Sequence, residues 1–294
     1  MENPSFKEDH ISQIPALQLL QKLGYSYLPQ QEVEKLRGGK TSNVLLEDIL
    51  RKALKKINSE KKISSTKSTY FSDNNIENGI RILKELPMNE GYINASETAY
   101  NLFTLGKSVD QIIDGDKKIF TLEYIDWKQP ENNVFHVTEE FSVMRSTSKE
   151  HYRPDLVLFI NGIPICVIEC KRPDKKDPLK QAISQHLRSQ QEDGIRQLYV
   201  YSQLLISTAT QETLYATNGT PEKFWAVWKE KFEDPKEELA YQDHLITIKN
   251  QPLSDEQKSK LFTGRFAYVR QYFDALEQEN ILPTVQDQTL TGLC

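Results

Sequence analysis

The segment from Arg153 to Lys171, RPDLVLFINGIPICVIECK, constrains the fold more than any other part of the chain. Two apolar runs, Leu156 to Ile160 and Ile163 to Ile168, have the length and β-branched content of strands buried on both faces. Asn161-Gly162 between them is a tight-turn signal. Asp155, Glu169 and Lys171 stand at the far ends of these runs. A charge at a buried strand end costs on the order of several kcal/mol unless it is paired or holds a metal. The residues therefore form either an internal Asp/Glu–Lys salt bridge or a cation site.

Side-chain alternation separates the two. A two-residue Asn161-Gly162 loop sets Ile160 opposite Ile163 and Asp155 opposite Ile168, which sends Asp155 and Glu169 to opposite faces of the sheet. A three-residue loop, Ile160-Asn161-Gly162 with Gly162 at positive φ, sets Phe159 opposite Ile163 and Asp155 opposite Val167. Asp155, Glu169 and Lys171 then share a face, with the two acids diagonal neighbours roughly 7–8 Å apart between α-carbons. A site needs the second geometry, so the sequence predicts the three-residue loop. Cys170 points the other way, into the core, while its backbone carbonyl stays near the cation. Two carboxylates with room for water suit Mg²⁺, which prefers oxygen ligands and keeps several waters. Lys171 is then placed to orient or deprotonate an attacking water, or to neutralise developing charge.

Pro154-Asp155 followed by Glu169-x-Lys171 resembles the PD-(D/E)xK nuclease motif. Gly24-Tyr25, Val44-Leu45-Leu46, Asp126-Trp127 with Asn132-Asn133-x-Phe135, and Gln197-x-x-x-Tyr201 extend the likeness over most of the chain. The whole is similar to the N-terminal nuclease domain of the R subunit of type I restriction-modification enzymes. That resemblance implies Mg²⁺-dependent hydrolysis of double-stranded DNA, with Asp155, Glu169 and the Cys170 carbonyl on the metal. It implies Lys171, Gln197 and Tyr201 as further catalytic residues, the last two from the Q-x-x-x-Y element of RecB-like nucleases. Implied partners are methylation and specificity subunits, and ATP would act only through a motor domain absent from this chain. No G-x-x-x-x-G-K-[ST] phosphate loop occurs in the sequence. Glu47 is a candidate for an extra acid on a first helix. The alternatives are a stand-alone PD-(D/E)xK repair nuclease and a catalytically silent DNA-binding or assembly module.

Composition agrees with a large α/β domain. The chain has 294 residues, 38% hydrophobic and 27% charged, enough to bury a sizeable core. No apolar run reaches membrane-spanning length and MENPSFKEDH is too polar for a signal sequence, so a cytoplasmic protein is expected. Cys166, Cys170 and Cys294 make no disulfide or zinc pattern. A net charge of -5 excludes a uniformly basic DNA-coating protein, but not a nuclease whose acids gather at a metal.

The expected fold is a restriction-endonuclease-like mixed central sheet flanked by helices. Its expected parts are an N-terminal helical part over 1–115, a nuclease core over 116–230, and a helical linker toward a motor over 231–294. Apolar spacing predicts helices over Ile11 to Gly24, Asn43 to Ile57 with Asn43 as cap, Asn75 to Leu86, Thr98 to Leu105, and Phe262 to Leu276. Asp177-Pro178 starts another, with Leu179, Ala182, Ile183 and Leu187 inward. Phe120 to Trp127 and Asn132 to Val143 read as strands, the second with His136 on a polar, solvent-facing side. Leu204 to Thr208 and Glu212 to Asn218 close the sheet, and Phe224, Trp225, Val227 and Trp228 pack against it.

Overall fold

The computed structural model describes residues 12–59, 61–62, 68–69, 71–113, 116–209, 212–278 and 292–294. The fold is mixed α/β. The N-terminal half carries α1 (Ile14–Lys22), β1 (Ser26–Tyr27), α2 (Gln30–Leu36), α3 (Glu47–Ile57), the two-residue pair β2 (Lys61–Lys62) and β3 (Ser68–Thr69), α4 (Asp73–Lys84) and α5 (Tyr92–Leu105). A separate hairpin of β4 (Lys107–Ile113) and β5 (Asp116–Leu122) follows. Then come β6 (Phe135–Glu139), the short pair β7 (Val143–Met144) and β8 (His151–Tyr152), β9 (Leu156–Ile160) and β10 (Ile163–Cys170). The chain continues through α6 (Pro178–Ser189), α7 (Arg196–Tyr199), β11 (Leu204–Thr208), β12 (Thr213–Ala216), α8 (Pro235–Asn250), α9 (Asp255–Leu261) and α10 (Arg270–Gln278).

Six strands form the central sheet in the order β1-β6-β9-β10-β11-β12. β9 is antiparallel to both β6 and β10, whereas β10 and β11 run parallel, joined over the sheet by α6 and α7. Residues of β9 and β10 are apolar on both faces because each face carries its own core. On one side Val157, Phe159, Val167 and Leu205 pack with residues of α3, α4, α5 and α6. On the other Leu156, Leu158, Cys166, Ile168 and Cys170 meet Leu17 and Leu20 of α1 together with Phe262, Phe266 and Phe273. Strands of the sheet come from 1–115 and 116–230, while 231–294 adds Phe262, Phe266 and Phe273 to the second core. Among the described residues no helix is long and apolar enough to cross a membrane.

Several elements differ from the sequence expectation for identifiable reasons. α3 starts at Glu47, not Asn43, because the Leu46 amide donates to the Gly162 carbonyl at 2.9 Å, while the Asn43 carboxamide is used by Leu45 and Glu47. β5 ends at Leu122 and pairs with β4 outside the central sheet, so Phe120 to Trp127 is not a core strand. In β6 the side expected to face solvent is covered: Thr138 is buried, its hydroxyl donating to the Leu28 carbonyl at 2.8 Å, and His136 is half-buried. Asp177 precedes α6 in a left-handed conformation and its side chain makes no cap. Trp225 is buried but Phe224 and Val227 are exposed. α8 forms in a stretch too polar to show an apolar face, capped by the Asp234 side chain and started by Pro235.

Candidate active site

The β9–β10 turn is the two-residue kind. Asn161 (φ 55°) and Gly162 (φ 82°) both occupy the left-handed region, as a type I′ hairpin requires, and Ile160 pairs with Ile163. The predicted three-residue loop is therefore not formed, and neither Phe159–Ile163 nor Asp155–Val167 is a pair. Phe159 faces Pro164, and then the register shifts: Leu158 faces Cys166, Val157 faces Val167 and Leu156 faces Ile168. One residue, Ile165, is extra. Pro164 explains why the irregularity lies there, for a proline cannot donate to a ladder and is tolerated inside a sheet essentially only at a bulge. The bulge restores the parity that the two-residue turn removes. One step beyond the last pair, the shifted register sets Asp155 directly opposite Glu169, a closer relation than the diagonal one expected.

The turn end of this hairpin is heavily tied down. Asn161 donates to the Tyr124 carbonyl (2.9 Å) and to Asn133 Oδ1 (2.8 Å), and accepts from the Val134 amide (2.9 Å). Asn133 also bonds both the amide and the carbonyl of Asp126, whose carboxylate takes Asn132 at 2.8 Å. A Cβ on Gly162 would lie 2.6 Å from the Leu46 carbonyl oxygen. The Val44-Leu45-Leu46 and Asp126/Asn132-Asn133 signatures are thus the clamp that fixes the hairpin's register.

At the other end lie the charges. The Cys170 amide donates to Asp155 Oδ2 at 2.7 Å, and the Asp155 carbonyl accepts from Gln13 Nε2 and the Glu140 amide. The Lys171 ammonium donates to the Cys170 carbonyl at 2.8 Å, lies 3.4 Å from Asp155 Oδ2 and 4.0 Å from Glu169 Oε2. Side-chain exposure is 15% for Asp155, 10% for Lys171 and 3% for Glu169. Glu169 Oε2 is buried with no hydrogen-bond partner. Burial first, then the charge of Asp155, push the Glu169 carboxyl well above its ordinary pKa, opposed by Lys171. The ammonium thus lies among the Cys170 carbonyl, Asp155 and Glu169 oxygens, at 2.8, 3.4 and 4.0 Å. The donor set is all oxygen, one oxygen is unsatisfied, and the residues fit a hard divalent cation.

Other expected site residues go elsewhere. The Tyr201 hydroxyl donates to the Leu83 carbonyl of α4 at 2.9 Å, and the Gln197 amide donates to the Met144 carbonyl of β7. Their bonds brace the fold, because α7 is a single turn whose polar side faces β7 and whose exit runs beneath α4. Glu47 binds Lys84 (2.8 Å) and Asn43 (3.1 Å) at the turn end of the hairpin, away from the carboxylates. The tyrosine whose surroundings include both carboxylates is Tyr199, its hydroxyl 3.0 Å from His186 Nδ1. His186 Nε2 lies 3.0 Å from the Ile206 carbonyl, so that nitrogen carries the proton and the ring is held neutral; burial brings its pKa down to about 4. Ser207 of β11, in register with Glu169, has a buried hydroxyl without a partner. A buried histidine on an amphipathic helix and a serine in an apolar strand were the signals for these two positions.

A family model described as the type I restriction enzyme R protein N terminus matches residues 5–224. The chain belongs to that family. It is 30% identical over 227 residues to a Methanocaldococcus jannaschii protein named as the MjaIXP endonuclease subunit of a type I restriction enzyme, covering 76% of this chain and 20% of that protein. It is 28% identical over 288 residues to the type I restriction enzyme HindI endonuclease subunit of Haemophilus influenzae, covering 95% of this chain and 25% of the relative. The chain thus spans a fifth to a quarter of the length of these curated relatives.

Proposed function

We propose that this R-subunit domain is the DNA-cutting module of a type I restriction enzyme, hydrolysing phosphodiester bonds of double-stranded DNA. The observation that carries the reading is the convergence of Asp155, Glu169 and the Cys170 carbonyl on one cation position, held at present by the Lys171 ammonium. Asp155, Glu169 and the Cys170 carbonyl would hold Mg²⁺, which when bound supplies an acidified water and offsets phosphate charge. The residues' own tasks follow from their contacts. The Cys170 amide anchors Asp155 through Oδ2, the oxygen the Lys171 ammonium also approaches, and so fixes how the carboxylate faces the cation position. Glu169, disfavoured as a buried anion, gains most from a cation beside it. Lys171, once moved off the oxygens, has three donors for a non-bridging phosphate oxygen or the attacking water. Water adds to phosphorus, the ester P–O bond breaks, and the products are a phosphate monoester and a hydroxyl. Gln197 and Tyr201 act as braces for the elements behind the site. Methylation and specificity subunits are the proposed partners, with ATP used elsewhere in the longer subunit.

The test is nicking of supercoiled plasmid by the chain in Mg²⁺ and in chelator, beside Asp155→Ala. Metal-dependent nicking lost in the variant supports the reading; nicking that persists in Asp155→Ala overturns it.

A further inference from the structure

Two arginines flank the ring of Tyr152, three residues before Asp155. Arg145 lies 4.9 Å and Arg188 5.2 Å from the ring centroid. Their circumstances differ. Arg145 is ion-paired to both Glu150 and Asp193 and pins the β7–β8 pair to the segment after α6. Arg188 forms no ion pair with a carboxylate among the described residues and rests on the aromatic face. It is exposed on the outer side of α6, where Lys176, Lys180, Ser184, Gln185 and Arg188 line one groove with Asp177 as the acid among them. Lys180, Ser184 and Arg188 are four residues apart and so lie on one stripe, about 12 Å from first to last. That length is on the order of three to four nucleotide steps of a duplex strand. The opposite face of α6, Ala182, Ile183 and His186, is buried against the sheet that carries Glu169. The Arg188 charge reaches Glu169, whose carboxyl it favours in the ionised form.

We infer that Arg188 is a DNA-backbone contact. The strand to be cut runs along the outer stripe of α6, and Arg188 leaves the Tyr152 ring to grip a phosphate next to the carboxylates. This rests on the proposed nuclease reading. The chemistry favours arginine here: its planar fork is weakly hydrated, stacks on an aromatic when idle, and matches a phosphate bidentately when occupied. Tyr152 keeps the guanidinium extended toward the site, which lowers the entropy lost on binding. Lys180 and Lys176 continue the track away from the site.

Binding is read in chelator, so that no cutting intervenes, as anisotropy of a labelled duplex titrated with the chain between roughly 50 and 200 mM salt. Arg188→Gln is expected to weaken binding about tenfold and to reduce the slope of log affinity against log salt by about 0.9, one phosphate contact. Arg188→Lys keeps the slope, and Tyr152→Leu keeps the slope with a smaller loss of affinity. Unchanged affinity and slope in Arg188→Gln overturn the inference, as does a wild-type chain that binds no duplex. If Arg188 only supports Tyr152, both substitutions lower the melting temperature and neither changes the slope, which also overturns it. Nicking in Mg²⁺ reports separately: Arg188-dependent binding without nicking by wild type supports the phosphate contact and strikes the nuclease reading.

Discussion

The two ends of the β9–β10 hairpin are built on opposite principles. At the turn, Asn161 is fully buried yet every polar group of its carboxamide is used, and Gly162 is pressed against the start of α3. At the other end, about 20 Å away by strand rise, two carboxyls are buried side by side with one oxygen unsatisfied and a lysine held among them. The first end is satisfied and the second is frustrated. The proposed site is the frustrated end because an oxygen already satisfied has little to gain from a cation, and the satisfied end holds the register that keeps the acids together.

The largest expected effect tests the frustrated end. Asp155→Ala, Glu169→Ala and Lys171→Ala should each lower cleavage on the order of 10³-fold or more, with near-wild-type melting, and the double variants should fall little further because the three act as a unit. Nicking kinetics with a melting curve for each variant decide it; a single variant that cuts near normally sinks the site assignment. The satisfied end should respond in the opposite way. Gly162→Val meets both a left-handed backbone and the Leu46 carbonyl, so a loss of about 3 kcal/mol or more in urea unfolding is expected. Asn161→Ala strands buried partners at about 1–3 kcal/mol apiece. In either variant, cleavage per folded molecule should stay within a few fold; a specific loss of chemistry would erase the distinction between the ends.

Turn chemistry, apolar runs and the identity of the acids are local, and all were legible in the sequence. The loop length was not. The parity argument correctly demanded one extra residue between Asp155 and Glu169, and placed it in the turn, whereas it lies at Ile165. Pro164 was the mark of it: inside a central strand a proline announces a bulge, but the centrality of β10 depends on the parallel partner β11, which arrives 34 residues after Cys170 at Leu204. Gln197 and Tyr201 bond to separate elements for a related reason. Residues four apart share a face only while a helix continues, but α7 stops at Tyr199, and Tyr201 turns under α4.

A smaller effect sharpens the contrast through pH. Glu169, and Glu139 of β6 beside Leu156, both have folded pKa values raised chiefly by burial, Glu139 to about 7. The folded state therefore holds these protons more tightly than the unfolded one. The contribution of these two groups to metal-free stability should be greatest below the unfolded carboxyl pKa of about 4.3 and should fall as pH rises. The Glu139 share amounts to roughly 3 kcal/mol by the time pH passes 7, at 1.36 kcal/mol per unit. Glu169→Gln and Glu139→Gln should each flatten the decline in calorimetric melting temperature between about pH 5 and 8. A decline as steep in both variants as in wild type would move its origin away from this end. The smallest effect is expected at Glu47, bound to Lys84 near the turn. Glu47→Gln should change stability by less than about 1 kcal/mol and leave nicking within twofold; a severe loss of cutting would bring that acid into the site after all.

The bulge at Ile165 also bears on how such a domain changes over generations. Removing that one codon leaves the composition of the hairpin almost untouched, keeps Asn161 and Gly162 in their clamp, and still offers two apolar strands to two apolar cores. The pairs beyond it then stay as they are, Cys166 opposite Leu158 and Asp155 opposite Glu169, whereas ironing the bulge out with Ile165 kept would move every partner from Leu158 onward by one residue. Asp155 would then stand opposite Ile168, and Glu169 would turn to the other face of the sheet. Losing the bulge while keeping its residue can therefore turn a cutting domain into an inert one whose sequence still carries every motif residue in order, so counting those residues does not establish that a relative cuts.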